Sequence, residues 1–232
     1  MKERAQLNLH SKYAILSSLP VTTGKEVAME NKLIQQYKSR RNSARLIQSS
    51  QGPVVEKTFA EEASFQKELE IYRLLQNGAL PCAQVLGAGE KTLILSELPG
   101  KNLVDWLEEQ EKTGQPRWDI WKKLVAWLVD FSRITGFVMT DVNLRNFLYE
   151  EATSTLYGLD FEECEQGDLA ISAAGVGAFV RTYQPENTPL KQEISQYILK
   201  LFANSCGWEE DALCLESACR EEWILQRRNN RI

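Results

Sequence analysis

Histidine is nearly absent from this sequence, and its scarcity argues against several kinds of catalytic site. Among 232 residues the one histidine is His10. Histidine-rich metal sites need several imidazoles, and Ser-His-Asp or Cys-His catalysis needs at least one beside the nucleophile. We therefore expect any general base to be a carboxylate, a lysine, a tyrosine or a cysteine.

Cysteine is also sparse and lacks the spacing of a redox or metal motif. The chain has an odd number of cysteines, five, and no two of them are spaced as in CxxC. We therefore expect reduced thiols in a cytoplasmic protein rather than a disulfide framework. The cysteines are Cys82, Cys164, Cys206, Cys214 and Cys219.

Long apolar runs and a strong excess of one charge are missing as well. No segment has the roughly 18 consecutive apolar residues of a membrane span, and no apolar run of a signal peptide follows the first basic residues. The net charge is only -5, from 27 basic and 32 acidic residues. This balance gives no reason to expect nucleic acid or an anionic membrane as a partner. Any phosphate binding must therefore come from local groups.

The first part of the chain alternates short strands with amphipathic helices. The helical spacing of Phe65, Leu69, Tyr72 and Leu75 is typical of a helix with one buried face. We predict a helix over Val27–Arg41, strands over Ala44–Gln48 and Pro53–Phe59 joined by a turn at 49–52, a helix over Ala60–Gln76, and a strand pair over Val85–Leu86 and Lys91–Leu98.

The second part is mainly helical, and Pro99-Gly100 marks the boundary between the two parts. We predict helices over Leu103–Lys112 and Trp118–Thr135, a hairpin of Phe147–Tyr149 and Leu156–Leu159, mainly helical structure from Glu186 onward, and a frayed tail at 227–231. The expected fold class is α+β with two lobes, residues 1–98 and residues 99–232.

Two acids and an amide are spaced in a way that suits phosphoryl transfer. Asp141 follows the apolar helix, Asn146 comes five residues later, and Asp160 follows the predicted hairpin. In this chemistry one carboxylate orients the attacking hydroxyl, while an amide oxygen and a second carboxylate hold Mg²⁺ against the triphosphate. Asp141 and Asn143 could instead simply stabilise a turn, since both residue types favour turns.

These residues resemble the motifs of the protein-kinase-like superfamily. Its catalytic loop reads H-R-D-x-x-x-x-N and its metal loop reads D-F-G, whereas this chain has Thr140-Asp141 five residues before Asn146, and Asp160-Phe161-Glu162. The resemblance implies that Asp141 is the catalytic aspartate and that Asn146 and Asp160 are Mg²⁺ ligands. The D-F-E form resembles choline-type, lipopolysaccharide and other small kinases.

The same resemblance extends to the first part of the chain. Val54-Val55-Glu56-Lys57 resembles the V-A-I-K strand, and Glu68 on the following helix is the expected partner of Lys57. The segment Leu93–Gly100 resembles the hinge strand of antibiotic and choline kinases, which implies that Glu97 and Leu98 contact the adenine of ATP. ATP and Mg²⁺ are thus the implied cofactors, and the fold implied is bilobal.

Several departures from the family pattern leave alternatives open. Met139 and Thr140 replace the histidine and arginine before the catalytic aspartate, and neither a G-x-G-x-x-G loop nor an A-P-E triplet is present. The turn at 49–52 is a candidate cover for the phosphates. Only 72 residues follow Asp160, so a small-molecule or glycan hydroxyl is expected as acceptor rather than a protein.

Three other functions are also compatible with the sequence. They are a nucleotide-binding pseudokinase, a protein Ser/Thr kinase, and an interaction domain in which the motifs are accidental. The small basic cluster of Arg40, Arg41 and Arg45 is either a solvated face or a phosphate contact.

Overall fold

A five-stranded antiparallel sheet forms the first layer of the fold. The computed structural model describes residues 32–37, 41–78 and 80–229. The strand order is β1-β2-β3-β5-β4, so the connection from β3 to β4 leaves the sheet and returns at its edge. The strands are β1 (Lys32–Tyr37), β2 (Ser43–Ser49), β3 (Gly52–Thr58), β4 (Val85–Gly89) and β5 (Thr92–Ser96).

A long helix, α1 (Glu62–Gly78), provides that connection and packs against the sheet. Its buried residues Leu69, Tyr72 and Leu75 share one core with Leu93 and Leu95 of β5. The helical spacing of these residues places them on one face, so that burying this face fixes α1 beneath the sheet.

The predicted helix over Val27–Arg41 is wrong where the structure describes it. Residues 32–37 form strand β1, whereas residues 27–31 and 38–40 lie outside the described residues. Tyr37 pairs with Ala44 of β2 through the backbone. Leu33 and Ile34 are 53% and 50% exposed, so they form no buried helical face. Backbone pairing with the next strand, β2, therefore prevails over the local spacing of apolar residues.

The remainder of the chain is mostly helical around α3, whose bounds match the prediction. Short strands connect the helices: β6-β8-β9 form one small sheet, and β7 pairs with β10. The helices are α2 (Leu103–Thr113), α3 (Trp118–Thr135), α4 (Ala170–Thr182), α5 (Pro189–Cys206) and α6 (Glu210–Asn229); the strands are β6 (Lys101–Asn102), β7 (Val138–Met139), β8 (Phe147–Glu150), β9 (Thr155–Gly158) and β10 (Cys164–Glu165).

Two differences from the sequence expectations concern helices. The sequence did not predict α4. Of the frayed tail expected at 227–231, residues 227–229 belong to α6, and residues 230 and 231 lie outside the described residues. The α+β class is confirmed. Within the described part of the chain, none of the helices combines the length and the apolar character that a membrane crossing requires.

An aromatic stack joins the helices to the sheet. Phe161 is fully buried, with its ring centre 5.0 Å from that of Tyr72 in α1 and 5.6 Å from that of Phe131 in α3. The ring of Trp127 is stacked on Phe161 and on Phe131. Such ring pairs add about 0.5–1.5 kcal/mol each beyond their burial. The residue that follows Asp160 is therefore packed between α1 and α3.

Candidate active site

Lys57, Glu68 and Asp160 meet at one point between the sheet and the helices. The Lys57 Nζ atom donates hydrogen bonds to Glu68 Oε2 at 2.7 Å and to Asp160 Oδ1 at 2.5 Å. Lys57 is 8% exposed and Glu68 is 0% exposed. The three residues come from β3, from α1 and from the loop after β9, so the fold brings together groups that are 103 positions apart.

Local structure explains the direction of the first two side chains. Side chains alternate between the faces of a strand, so Lys57 lies on the same face of β3 as Val55, which packs against the core. On α1, Ile71, Tyr72 and Leu75 lie three, four and seven residues after Glu68 and are buried. Glu68 therefore lies on the inward face of the helix, as the sequence predicts.

The electrostatics of this cluster are set by burial. Burial raises the pKa of Glu68 to about 7, and Asp160 adds to the effect while Lys57 opposes it. Burial alone would lower the pKa of Lys57, but the two carboxylates outweigh it, so its pKa is raised and the side chain stays charged. Within the described residues Glu68 Oε1 has no hydrogen-bond partner. The Lys57 ammonium is thus the shared hydrogen-bond donor of two carboxylates.

The backbone at Asp160 has an unusual conformation. Its φ angle is 65°, in the left-handed region that residues other than glycine rarely adopt. This conformation costs on the order of 1 kcal/mol and persists where the surroundings fix it. Here the buried ring of Phe161 provides the anchor, and the turn directs the Asp160 carboxylate to Lys57.

Asn146 is tied to the Asp160 loop through the backbone. The Leu159 N–H donates to the Asn146 carbonyl at 3.0 Å, and Phe147 pairs with Gly158 in the small sheet. A 3₁₀ turn, Leu144–Asn146, is capped by the Asn143 side chain. Among the residues that the structure describes, no protein group hydrogen-bonds the side-chain amide of Asn146. Its oxygen is therefore open to a ligand.

Asp141 lies two residues after the end of β7 and is exposed. In residues 32–37, 41–78 and 80–229 its carboxylate has no hydrogen bond and no ion pair. Partial loss of hydration raises the pKa of Asp141, and Glu163 and Asp160 raise it further, while Arg227 and Arg41 lower it. A carboxylate without a structural partner and with a raised pKa suits a general base.

The segment after Asp160 is held in place from both sides. On one side the Thr140 hydroxyl donates to the Glu163 carbonyl at 2.6 Å, next to the pairing of β7 with β10. On the other side Arg41 pairs with the Glu163 carboxylate, and the Asn42 amide donates to Glu162 at 2.8 Å. Arg41, which lies between β1 and β2, thus connects the sheet with this segment.

The two predicted adenine contacts lie in the connection between β5 and β6. Glu97 is exposed, and Leu98 is half-buried against the core. Burial, together with the nearby Glu97 carboxylate, raises the pKa of Tyr37. The sequence did not indicate that Tyr37 lies near Glu97, because the helix predicted over Val27–Arg41 would not have joined the sheet.

The predicted phosphate cover at 49–52 is a tight turn. The Ser49 hydroxyl donates to the Gly52 carbonyl at 2.6 Å, and the Gln51 N–H donates to the Ser49 hydroxyl at 3.2 Å. The Gln51 N–H is therefore already used within the turn.

A cavity of about 660 Å³ lies beside these residues rather than over them. It extends between α1 and the segment after Asp160, and its lining includes Lys67, Thr140, Glu162 and Glu163. Neither Lys57 nor Asp160 lines it.

The side-chain oxygens of Asp160 and Asn146 are of the type that Mg²⁺ prefers. Magnesium is commonly held by one or two carboxylates together with substrate phosphates and water. Asp160 and Asn146 offer a carboxylate and an amide oxygen on adjoining backbone segments. Within the described residues, no group of three or more histidine, cysteine, aspartate or glutamate side chains is arranged to hold a metal by itself. A metal here would depend on oxygens from its nucleotide.

No protein-family model matches the chain, and no curated protein sequence matches it significantly.

Proposed function

We propose that this protein is an ATP-dependent phosphotransferase with a bilobal, protein-kinase-like fold. It would transfer the γ-phosphoryl group to a hydroxyl of a small molecule or glycan. The observation that carries the proposal is the position of Lys57 Nζ, 2.7 Å from Glu68 Oε2 and 2.5 Å from Asp160 Oδ1. A lysine on a strand, a glutamate on the following helix and a distant aspartate are the groups that hold a nucleotide triphosphate in such enzymes.

Each residue of the cluster has a role in this scheme. Lys57 contacts the α and β phosphates, and Glu68 holds the lysine side chain in place. Asn146 and Asp160 bind Mg²⁺, which neutralises charge on the phosphates when it is bound. Glu97 and Leu98 border the adenine. Most of the catalysis then comes from positioning and charge neutralisation.

Asp141 orients the acceptor and receives its proton. As the acceptor oxygen forms its bond to the γ phosphorus, the bond from that phosphorus to the oxygen of ADP breaks. The hydroxyl proton passes to the Asp141 carboxylate, whose pKa is raised. The position of Asp141 after β7 and its lack of partners among the described residues leave this carboxylate accessible.

The segment from Phe161 to Leu169 supports a small acceptor. It leads from Asp160 to the start of α4, and two of its residues pair with β7. No long loop lies between Asp160 and α4 that could form a groove for an extended peptide. A hydroxyl on a compact molecule is therefore favoured over a serine or threonine of a protein.

Thermal unfolding with Mg·ATP tests the nucleotide part of the proposal. A ligand at 100 times its dissociation constant stabilises the folded state by about 2.7 kcal/mol. We expect Mg·ATP to raise the melting temperature, and Asp160→Ala to remove the part of the shift that depends on Mg²⁺. If the melting temperature of the parent protein is unchanged by Mg·ATP, the proposal fails.

A nucleotide-binding protein without turnover is the second candidate. Two observations favour it: Asn143 caps the 3₁₀ turn, at the position where the kinase family that the sequence resembles carries a lysine, and the Gln51 N–H is used within the turn at 49–52. ADP release measured across a broad panel of hydroxyl acceptors, including casein-like proteins, separates the candidates. Stabilisation by Mg·ATP with no ADP formed from any acceptor would favour the second candidate.

A further inference from the structure

Two arginines near Asp141 have no acidic partner in the described part of the chain. Arg145 Nη2 donates to the Tyr183 hydroxyl at 3.2 Å, and its guanidinium carbon lies 5.5 Å from the ring centre of Tyr183. Arg227 lies over Trp223, with its guanidinium carbon 4.9 Å from that ring centre. By contrast, Arg41 pairs with Glu163.

The contacts of the two arginines lie near the C-terminal ends of α4 and α6. Arg145 immediately precedes Asn146, so it belongs to the loop that carries Asp141. Arg227 is in the last turn of α6, and the next residue, Arg228, donates to the Thr182 carbonyl at the end of α4. Tyr183, the partner of Arg145, follows Thr182 directly. The charge of Arg227 also acts on the Asp141 carboxylate.

Their contacts leave these side chains able to bind an anion. An arginine stacked on an aromatic ring keeps most of its N–H groups free while the ring restricts its orientation. The Tyr183 hydroxyl donates to Glu108 at 2.8 Å, so it accepts the hydrogen bond from Arg145. Both Arg145 and Arg227 are exposed. Guanidinium groups in this state match phosphate and carboxylate oxygens with paired hydrogen bonds.

We infer that the acceptor carries a phosphate or carboxylate group besides its reactive hydroxyl, and that Arg145 and Arg227 bind this group. The inference rests on the proposed function, because it assigns the hydroxyl of the same molecule to Asp141. In the proposed function Lys57, Asn146 and Asp160 bind the nucleotide and its metal. The two arginines instead contact Tyr183, at the end of α4, and Trp223 of α6, and neither helix provides a nucleotide-binding residue. They would therefore select the acceptor and not the nucleotide.

Turnover with matched acceptors tests the inference. ADP formation from Mg·ATP is measured with glycerol and glycerol 3-phosphate, and with glucose, glucose 6-phosphate and glucuronate. We expect kcat/KM to be at least about 10-fold higher for the anionic member of a pair, since hydrogen bonds to charged groups are strong. Arg145→Gln and Arg227→Gln should each reduce this preference, while the exposed Arg73→Gln on α1 should keep it. Comparison of the last two compounds distinguishes a phosphate site from a carboxylate site.

A binding measurement keeps the inference testable if no acceptor is turned over. Inorganic phosphate is titrated calorimetrically into the parent, into Arg145→Gln/Arg227→Gln and into Lys57→Met. We expect the affinity to fall at least about 10-fold in the double variant and to be retained in Lys57→Met. An equal rate for neutral and anionic acceptors would overturn the inference but not the proposed function. Loss of phosphate binding in Lys57→Met alone, or no saturable binding in the parent, would also overturn it. Absence of turnover with every acceptor counts against the proposed function, and the titration then decides the inference by itself.

Discussion

At the scale of single residues, the central feature is an ammonium shared by two carboxylates. Lys57 bonds to Glu68, which is fully buried, and to Asp160, which is partly exposed. Removing one partner of a buried ion pair leaves an uncompensated charge and is strongly destabilising. The cluster is therefore sensitive to the charge of each member, and its pH dependence follows from Glu68.

Glu68→Gln should change how stability depends on pH. The folded pKa of Glu68, about 7, lies above its ordinary value of 4.5, so between these values the folded protein holds a proton that the unfolded chain has lost. The stabilisation from this group is complete below the ordinary value and is lost as the pH rises through about 7. Relative to Glu68→Gln, the parent should therefore lose stability from about pH 5 to about pH 8.

Urea unfolding of both proteins across this pH range measures the effect. Each pKa unit corresponds to about 1.4 kcal/mol, so the difference is at most a few kcal/mol. Because other titrating groups are common to both proteins, they cancel in the comparison. A constant difference between the two proteins would show that Glu68 does not titrate in this range.

Asp141→Asn should slow phosphoryl transfer and leave nucleotide binding nearly unchanged. The amide keeps the size of the side chain but cannot accept a proton, and loss of a general base typically slows a reaction by about 10²–10⁴-fold. We expect ATP affinity to change little, because Lys57, Asn146 and Asp160 hold the nucleotide. ADP formation and calorimetric ATP binding measure the two effects.

A matched control for this variant is Asp211→Asn in the first turn of α6. Asp211 is an exposed carboxylate without a hydrogen bond or ion pair to the described residues. It should leave both turnover and ATP affinity unchanged. Equal turnover in the parent and in Asp141→Asn would remove Asp141 from the mechanism.

The sequence could predict residues whose roles depend on neighbours in the chain. Glu68 was predicted to turn inward because buried positions three, four and seven residues later define its face of α1, and the structure places it against Lys57. The contact of Arg41 with Glu163 joins positions 122 residues apart. Neither this contact nor the approach of Arg227 to Asp141 leaves a local pattern, because both depend on how distant elements pack.

At the scale of secondary-structure elements, the wrong prediction for β1 and the missed helix α4 have a common cause, because in both places contacts with other elements outweigh the local sequence pattern. Strand β1 is an edge strand whose stability comes from backbone pairing with β2. Helix α4 is buried on most sides, so its sequence shows no apolar stripe, and Gly175 and Gly177 reduce its helix propensity. A side chain at Gly177 would lie 2.7 Å from the Ser217 hydroxyl of α6. Close packing between helices therefore requires glycine where local propensity disfavours it.

Gly158→Ala should disturb the hairpin that supports the Asp160 loop. A Cβ atom at Gly158 would lie 2.3 Å from the indole of Trp127, which is buried and stacked on Phe131 and Phe161. Such overpacking costs about 1–3 kcal/mol. We expect this loss of stability in urea unfolding, together with a smaller thermal shift from Mg·ATP.

Gly89→Ala is the control, because a Cβ atom there meets nothing within 4 Å and its backbone angle is compatible with alanine. Its stability should stay within about 0.5 kcal/mol of the parent. If both variants unfold alike, the indole is free to move and the hairpin does not fix the Asp160 loop.

At the scale of the whole molecule, the sequence could predict the α+β class but not the packing of the two parts on each other. Apart from β1 and α4, the order of strands and helices follows from local periods and turn residues, as the matching bounds of α3 illustrate. The contacts between the parts involve residues such as Tyr72, Phe131 and Phe161, which the sequence marks only as apolar. Their mutual arrangement depends on the complete set of side chains that fills the core.

The aromatic stack around Phe161 also affects how the protein unfolds. Tyr72 belongs to the helix beneath the sheet, Phe131 belongs to α3, and the same buried ring lies against both. Separating the two parts would expose this ring and the residues that surround it to water, at a cost comparable to that of opening a domain core. We therefore expect the described elements that pack around Phe161 to unfold together in one cooperative transition.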